Sequence, residues 1–151
     1  MQVISKNTSS NLQAQSFSTS CTQKEIPKDL NILVVEDNHL IQFAVKAMLI
    51  ELACNFDMAE DGHSAIELAN TRRCYDLVLM DIDLPDISGI EVTEIILSLE
   101  HSKNLPIVAM TSCTEPEYID RCYAVGMSGF YNKPKDKYDI QKIIQTHVAR
   151  R

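Results

Sequence analysis

The chain has 151 residues, of which 45% are apolar, and it carries a formal charge of -7 from 14 basic and 21 acidic residues. This length predicts one domain that can bury a sizeable core, and the acidic balance argues against a dedicated nucleic-acid surface. No apolar run reaches the ~20 residues of a membrane span, and five scattered cysteines without a Cys-x-x-Cys pair favour a reduced, cytoplasmic protein over a secreted disulfide scaffold or a zinc module.

The first 24 residues differ in kind from the rest of the chain. Fifteen of them are Ser, Thr, Asn or Gln, and no apolar residue recurs at a regular period. Such a segment cannot bury enough surface to offset the entropy lost on ordering. We therefore predict a flexible, disordered polar tail or linker over residues 1–28, without a function of its own, and a folded domain over residues 29–151.

Strands and helices are predicted to alternate from Leu30 onward. The apolar run at residues 32–35 is typical of a strand buried on both faces. Asn38 is placed to cap a helix that runs to about Ala53. The helix residues expected to face the core are Leu40, Ile41, Ala44, Val45, Met48 and Leu49.

The same alternation continues to the end of the chain. Further strands are predicted over residues 55–59, 75–80, 106–110 and 128–132. Further helices are predicted over residues 62–69, 90–99, 115–125 and 136–148, the third of them opened by Thr114 and Pro116. Five strands alternating with five helices predict an α/β domain with a parallel sheet covered on both faces.

Polar side chains follow four of these strands at their carboxyl ends. Glu36 and Asp37 end the first strand, Asp81 the third, Thr111 the fourth and Lys133 the fifth. Taken singly, each has an ordinary explanation, such as a helix cap or an acidic pair that complements a helix dipole. Because ligands of open parallel sheets bind beyond the carboxyl ends of the strands, their shared position favours one functional site.

The chemistry of this set is that of phosphoryl transfer. Three close carboxylates repel one another unless they share protons or hold a cation, and oxygen donors without imidazole or thiolate suit Mg²⁺ or Mn²⁺. A carboxylate beside such a metal can act as a nucleophile towards phosphorus and form an acyl phosphate. Lys133 and Thr111 could neutralise and bind the phosphoryl oxygens. The pattern therefore predicts a phospho-accepting site.

Over roughly residues 31–147, these motifs resemble the receiver domain of two-component response regulators. The matching stretches are residues 32–38 (ILVVEDN), 77–89 (LVLMDIDLPDISG), 106–111 (PIVAMT) and 126–134 (GMSGFYNKP). The resemblance implies a doubly wound, flavodoxin-like sheet with the strand order 2-1-3-4-5, which the hydrophobic pattern alone does not establish.

The resemblance also implies a role for each residue of the site. Asp81 would be the phosphorylated aspartate. Glu36, Asp37, the Asp81 carboxylate and the backbone carbonyl of Asp83 would bind Mg²⁺. Lys133 would pair with the phosphoryl group, and the peptide bond that follows it, before a proline, would be cis.

A switch is implied in the same way. Thr111 would turn inward to the phosphoryl group and Phe130, in place of the commoner Tyr, would swing inward with it, while Tyr131 faces the other side of the sheet. This movement would alter the face made by the fourth helix, fifth strand and fifth helix, which a downstream protein target would read. Asp83 and Cys113 lie where the family tunes the lifetime of the acyl phosphate.

The resemblance leaves two contexts open, a stand-alone regulator and the C-terminal receiver of a hybrid sensor histidine kinase. The Ser/Gln-rich run-in favours the hybrid type. The phosphodonor would be a sensor histidine kinase or a histidine-phosphotransfer protein, docked on the first helix near Gln42 and Lys46, both expected to be exposed. The domain itself would catalyse its autophosphorylation and autodephosphorylation, whereas a parent hybrid kinase would be an enzyme in its own right.

Two alternatives compete with this interpretation. A haloacid-dehalogenase-type phosphatase would use the Asp-x-Asp at Asp81 and Asp83, but that family places the motif on its first strand and its acidic pair downstream. A pseudo-receiver would bind partners without being phosphorylated. The complete set of acidic residues, Thr111 and Lys133 argues against the second alternative.

Overall fold

The computed structural model describes residues 25–71, 74–112 and 115–148. Within these ranges, a five-stranded parallel sheet has the order β2-β1-β3-β4-β5, which confirms the implied strand order. The strands are β1 (Asn31–Val35), β2 (Asn55–Ala59), β3 (Leu77–Met80), β4 (Ile107–Thr111) and β5 (Gly129–Asn132). The helices are α1 (His39–Glu51), α2 (Gly62–Ala69), α3 (Gly89–Ser98), α4 (Pro116–Ala124) and α5 (Lys137–His147).

The predicted alternation is confirmed, with small shifts at the boundaries. A 3₁₀ turn over Glu100–Ser102, which was not predicted, follows α3. The third strand begins at residue 77 instead of residue 75, because Asp76 pairs with Asn31 through its side chain as well as its backbone: Asn31 N donates to Asp76 Oδ2 at 2.8 Å, and Asp76 N donates to Asn31 O at 2.8 Å. Most of the predicted polar tail, together with Cys113 and Thr114, lies outside the described residues.

The sheet separates two apolar cores. Alternate residues of each strand point to opposite faces, so Leu33 and Val35 join the core beneath α2, α3 and α4, whereas Ile32 and Val34 join the core beneath α1 and α5. None of the described helices is both long enough and apolar enough to cross a membrane.

Helix α1 buries a narrower stripe than the sequence predicted. Val45 and Leu49 are buried, and Ile41 and Met48 are half-buried. The prediction is wrong for Leu40, which is 82% exposed, and for Ala44, which is also exposed. The sheet is already covered by the side chains at positions 41, 45, 48 and 49. Because successive residues of a helix point about 100° apart, the side chains at positions 40 and 44 point towards solvent.

Gly89 allows the start of α3 to touch the end of β3. Its backbone N–H donates to Ile82 O at 2.8 Å. A Cβ atom at this position would lie 2.1 Å from the Asp81 carbonyl oxygen, which is backbone and cannot move aside. The absence of a side chain at position 89 therefore fixes where the loop after β3 returns, directly beside Asp81.

Candidate functional site

The carboxyl ends of the central strands place the predicted polar residues at one edge of the sheet. The backbone ladder continues one residue past each strand, since Glu36 N donates to Ala59 O at 3.0 Å and Asp81 N donates to Val35 O at 2.9 Å. These bonds hold the two carboxylates on neighbouring strands, β1 and β3, in fixed positions.

Three carboxylates meet at this edge, as the sequence predicted. One oxygen each from Glu36, Asp37 and Asp81 lies within 4.8 Å of the others. Glu36 is 0% exposed and Asp81 3% exposed, whereas Asp37 is open to solvent. The cluster is therefore buried at its base and accessible from one side.

Lys133, which follows β5, reaches across to both buried carboxylates. Its Nζ atom lies 3.2 Å from Asp81 Oδ2 and donates to Glu36 Oε1 at 3.2 Å. Nζ also lies 2.9 Å from Glu36 Oε2, but outside hydrogen-bonding geometry, so this buried oxygen has no hydrogen-bond partner. Desolvation opposes the lysine charge, yet the hydrogen bond to Glu36 and the two carboxylate charges raise the pKa of Lys133 above its ordinary value.

The surroundings of Asp81 disfavour its ionisation and raise its pKa. Desolvation, reinforced by the charge of Glu36, raises its pKa to about 6, against the opposing effects of Lys133 and of the Asp83 N–H. One ammonium group faces three carboxylates, so full ionisation would leave a net negative charge in a largely buried place. A bound cation would relieve that repulsion.

The donor set fits a hard divalent cation. The three clustered groups are all carboxylates, and Glu36 Oε2 accepts no hydrogen bond. Asp83 N donates to Asp81 Oδ1 at 3.2 Å, which brings the Asp83 backbone to the same edge. Mg²⁺ and Mn²⁺ prefer such oxygen ligands and retain waters in the remaining positions.

Thr111 and Phe130 lie on the same side of the sheet. Thr111 is fully buried at the end of β4. Phe130 is paired in register with Ala109, two residues before Thr111, and its half-buried ring packs in the core beneath α4. Tyr131 packs in the opposite core, as predicted.

The peptide bond between Lys133 and Pro134 is trans, as are the other peptide bonds of the described residues. The expectation of a cis bond is therefore wrong. Trans is the lower-energy isomer of an X-Pro bond by about 0.5–1 kcal/mol, and Lys133 reaches both carboxylates from this conformation.

Sequence reasoning missed two contacts that shape the site. Gln42, expected to be exposed, is half-buried, and its Nε2 donates to Glu36 O at 2.5 Å. Helical spacing does not indicate this contact, because its acceptor lies six residues before Gln42 and precedes the N-cap of α1. Asp86 accepts hydrogen bonds from the backbone N–H groups of Gly62 and His63, a contact across 24 positions that no local pattern signals.

Comparison with known proteins gives concordant results. The family model of the response regulator receiver domain matches residues 32–145. The osmosensing histidine protein kinase SLN1 of Saccharomyces cerevisiae is 33% identical over 149 residues, covering 89% of this chain and 12% of SLN1. The transcription factor SKN7 of Candida albicans is 34% identical over 146 residues, covering 97% of this chain and 25% of SKN7.

A solved structure is similar to most of this chain. The receiver domain of a sensor histidine kinase from Pseudomonas aeruginosa, which holds a magnesium ion in its active-site cleft, matches with a TM-score of 0.73 and 33% identity, covering 79% of this chain and 97% of that one. By contrast, the chain spans a quarter or less of the length of SLN1 and SKN7.

Proposed function

This chain belongs to the response regulator receiver domain family, a module of two-component and phosphorelay signalling, and we propose that Asp81 is its phospho-acceptor. The observation that carries the proposal is the environment of this carboxylate. It is buried at the end of β3, lies 3.2 Å from the Lys133 ammonium group and shares an acidic cluster with Glu36 and Asp37.

We propose that the cluster binds Mg²⁺, or Mn²⁺ in its place. Glu36, Asp37, the Asp81 carboxylate and the backbone carbonyl of Asp83 would hold the ion, directly or through water. When bound, the ion would neutralise the carboxylates and the incoming phosphoryl oxygens. The magnesium in the cleft of the similar Pseudomonas receiver supports this assignment.

The residues around Asp81 are suited to accepting a phosphoryl group. One oxygen of Asp81 would form a bond to phosphorus while the P–N bond of a phosphohistidine breaks and the imidazole nitrogen keeps the electron pair. Lys133 would hold the carboxylate in position and then pair with the transferred oxygens. Thr111 would donate its hydroxyl to one of them.

The response to phosphorylation would pass through Thr111 and Phe130. Both lie on the sheet face covered by α4, and a movement of Thr111 towards Asp81 would make room for the Phe130 ring to swing inward. This would repack the surface of α4, β5 and α5, which a downstream protein target would read. Asp83 and Cys113, the latter outside the described residues, are proposed to tune the lifetime of the acyl phosphate.

The surface proposed for the phosphodonor is an apolar stripe on α1. Leu40, Phe43 and Ile50 are 82%, 74% and 60% exposed, and their spacing places them on one helix face, which begins three residues after Asp37. A helix of a histidine-phosphotransfer bundle or of a sensor histidine kinase fits such a stripe. Lys46, exposed beside it, would pair with an acidic residue of the partner, whereas Gln42 is held by the Glu36 carbonyl group.

The relatives include a histidine kinase and a transcription factor, so receivers like this one occur in different parent proteins. We propose a hybrid-kinase relay in the cytoplasm, with residues 1–28 as the linker before a receiver over residues 29–151. A parent hybrid kinase would be an enzyme, and this domain would catalyse only its own phosphorylation and dephosphorylation.

Intact-mass measurement after incubation with Mg²⁺ and acetyl phosphate tests the central proposal. A single phosphoryl adduct that requires Mg²⁺ and is absent from Asp81→Asn is the expected result. If the natural protein neither forms the adduct nor binds Mg²⁺, the result would support the pseudo-receiver alternative. Sustained hydrolysis of p-nitrophenyl phosphate would revive the haloacid-dehalogenase-type phosphatase, which the family match does not favour.

A further inference from the structure

Asp86, at the tip of the loop between β3 and α3, binds the first turn of another helix. Its Oδ1 accepts a hydrogen bond from Gly62 N at 2.8 Å, and its Oδ2 accepts one from His63 N at 2.9 Å. The His63 ring also contacts Oδ2 through Nδ1. Desolvation opposes the ionisation of Asp86, but these N–H donors and that of Ile87 hold its pKa below the ordinary range.

This contact does more than cap α2. Asp61, the N-cap residue of α2, already accepts a hydrogen bond from Ser64 N at 2.7 Å. Asp86 accepts hydrogen bonds from the two remaining N–H groups of the first turn, those of Gly62 and His63, which lie 24 and 23 positions before it in the sequence. The carboxylate therefore ties the loop after β3 to α2, where the helix dipole also favours a negative charge.

The tie acts on the segment that carries Asp83. The two ends of the loop are joined by the hydrogen bond from Gly89 N to Ile82 O at 2.8 Å. The middle of the loop is held by the hydrogen bonds that Asp86 accepts from α2. Asp83 lies between these two anchors, and its backbone N–H already donates to Asp81 Oδ1 at 3.2 Å.

We infer that Asp86 is a positioning residue, which anchors the loop after β3 to the first turn of α2 so that the Asp83 carbonyl group is preorganised to bind the metal ion. The inference rests on the proposed Mg²⁺-dependent phosphorylation of Asp81 and deepens it. Groups that orient metal ligands commonly change metal affinity by 10–100-fold when they are removed. The loop between the two anchors is short, so removing Asp86 should mainly weaken Mg²⁺ binding and should change the phosphorylation rate at saturating Mg²⁺ little.

The test compares Asp86→Ala with His63→Ala in the full chain. Calorimetry measures the Kd for Mg²⁺, and intact mass follows the rate of phosphorylation by acetyl phosphate across a range of Mg²⁺ concentrations. Asp86→Ala should raise the Kd about 10-fold, and saturating Mg²⁺ should restore the rate to within about twofold of the natural protein. His63→Ala keeps both backbone hydrogen bonds to Asp86, so its Kd should change less than about twofold.

A merely structural role would give a different pattern. An unchanged Kd in Asp86→Ala, or a slow rate that saturating Mg²⁺ does not restore, would overturn the inference while leaving the proposed function intact. If Asp86→Ala does not fold, Asp86→Asn, which keeps one acceptor oxygen, should show an intermediate Kd, and a Kd equal to that of the natural protein would overturn the inference. Failure of the natural protein itself to bind Mg²⁺ and to form the adduct would refute the proposed function.

Discussion

Replacing Asp81 by Asn should stabilise the metal-free protein at neutral pH. Burial and the neighbouring Glu36 raise the pKa of Asp81 from 3.8 to about 6, so the folded protein holds this proton more tightly than the unfolded chain does. The stability contributed by the neutral carboxyl group is therefore complete below pH 3.8 and is lost as the pH rises through about 6. Asn has nearly the shape of the neutral acid and never ionises.

The size of the effect follows from the pKa shift. About two pKa units at 1.36 kcal/mol each correspond to roughly 3 kcal/mol at full ionisation. In EDTA at pH 7.5, Asp81→Asn should therefore raise the free energy of unfolding by about 2–3 kcal/mol. For a chain of this size each kcal/mol raises the Tm by about 2–4 °C. At pH 4 the two proteins should have nearly equal stability.

Urea unfolding followed by far-ultraviolet circular dichroism is suited to this measurement, since the chain contains no Trp. Asp83→Asn is the matched control, because Asp83 is exposed in the same loop and its replacement should change stability by no more than about 0.5 kcal/mol. Adding Mg²⁺ at about 100 times its Kd should stabilise only the natural protein, by about 2.7 kcal/mol. The difference in the free energy of unfolding between the variant and the natural protein should then largely disappear. A variant no more stable than the natural protein at pH 7.5, or a gain that persists unchanged at pH 4, would refute the electrostatic reasoning.

Three further predictions concern other parts of the same structure. Gly89→Ala should lower the free energy of unfolding by about 1–3 kcal/mol in urea titrations, because the added Cβ would meet the Asp81 carbonyl oxygen; unchanged stability would contradict the close approach. Lys133→Met should abolish the phosphoryl adduct in intact-mass spectra and destabilise the protein by about 3–5 kcal/mol, since Glu36 would be left as an unpaired buried charge. Phe43→Glu should slow phosphotransfer from a phosphohistidine donor at least about 10-fold while leaving the rate with acetyl phosphate unchanged, and an equal loss with both donors would argue against α1 as the docking surface.

The sequence predicted the alternation of strands and helices well, because buried strands such as residues 32–35 and 107–110 are apolar throughout and are separated by helix caps and Pro or Gly. The strand order could not come from periodicity, which describes each element but not its neighbours, and it followed instead from the family resemblance. The acidic cluster was predictable because parallel strands bring their carboxyl ends to one edge.

The remaining features depend on contacts that sequence spacing does not encode. Leu40 was expected to be buried because it is apolar and lies in an amphipathic helix. It is exposed because this helix carries more apolar residues than the sheet can cover. The side-chain bonds of Gln42 and Asp86 depend on how loops approach helices in three dimensions. The isomer of the bond before Pro134 was taken from the resemblance, and the structure differs from it.

The sheet separates the two apolar cores and, with them, helix α1 from helix α4. Helix α1, with its exposed apolar stripe, covers one side, whereas Thr111, Phe130 and α4 belong to the other. A protein bound to α1 would leave α4 uncovered, whereas α5, which also belongs to the proposed output surface, lies on the same side of the sheet as α1. A target that binds mainly α4 would therefore not compete with the proposed phosphodonor, but one that binds α5 would lie close to it. Under these proposals, phosphotransfer and target binding would overlap in time only for a target that binds α4 and leaves α5 free.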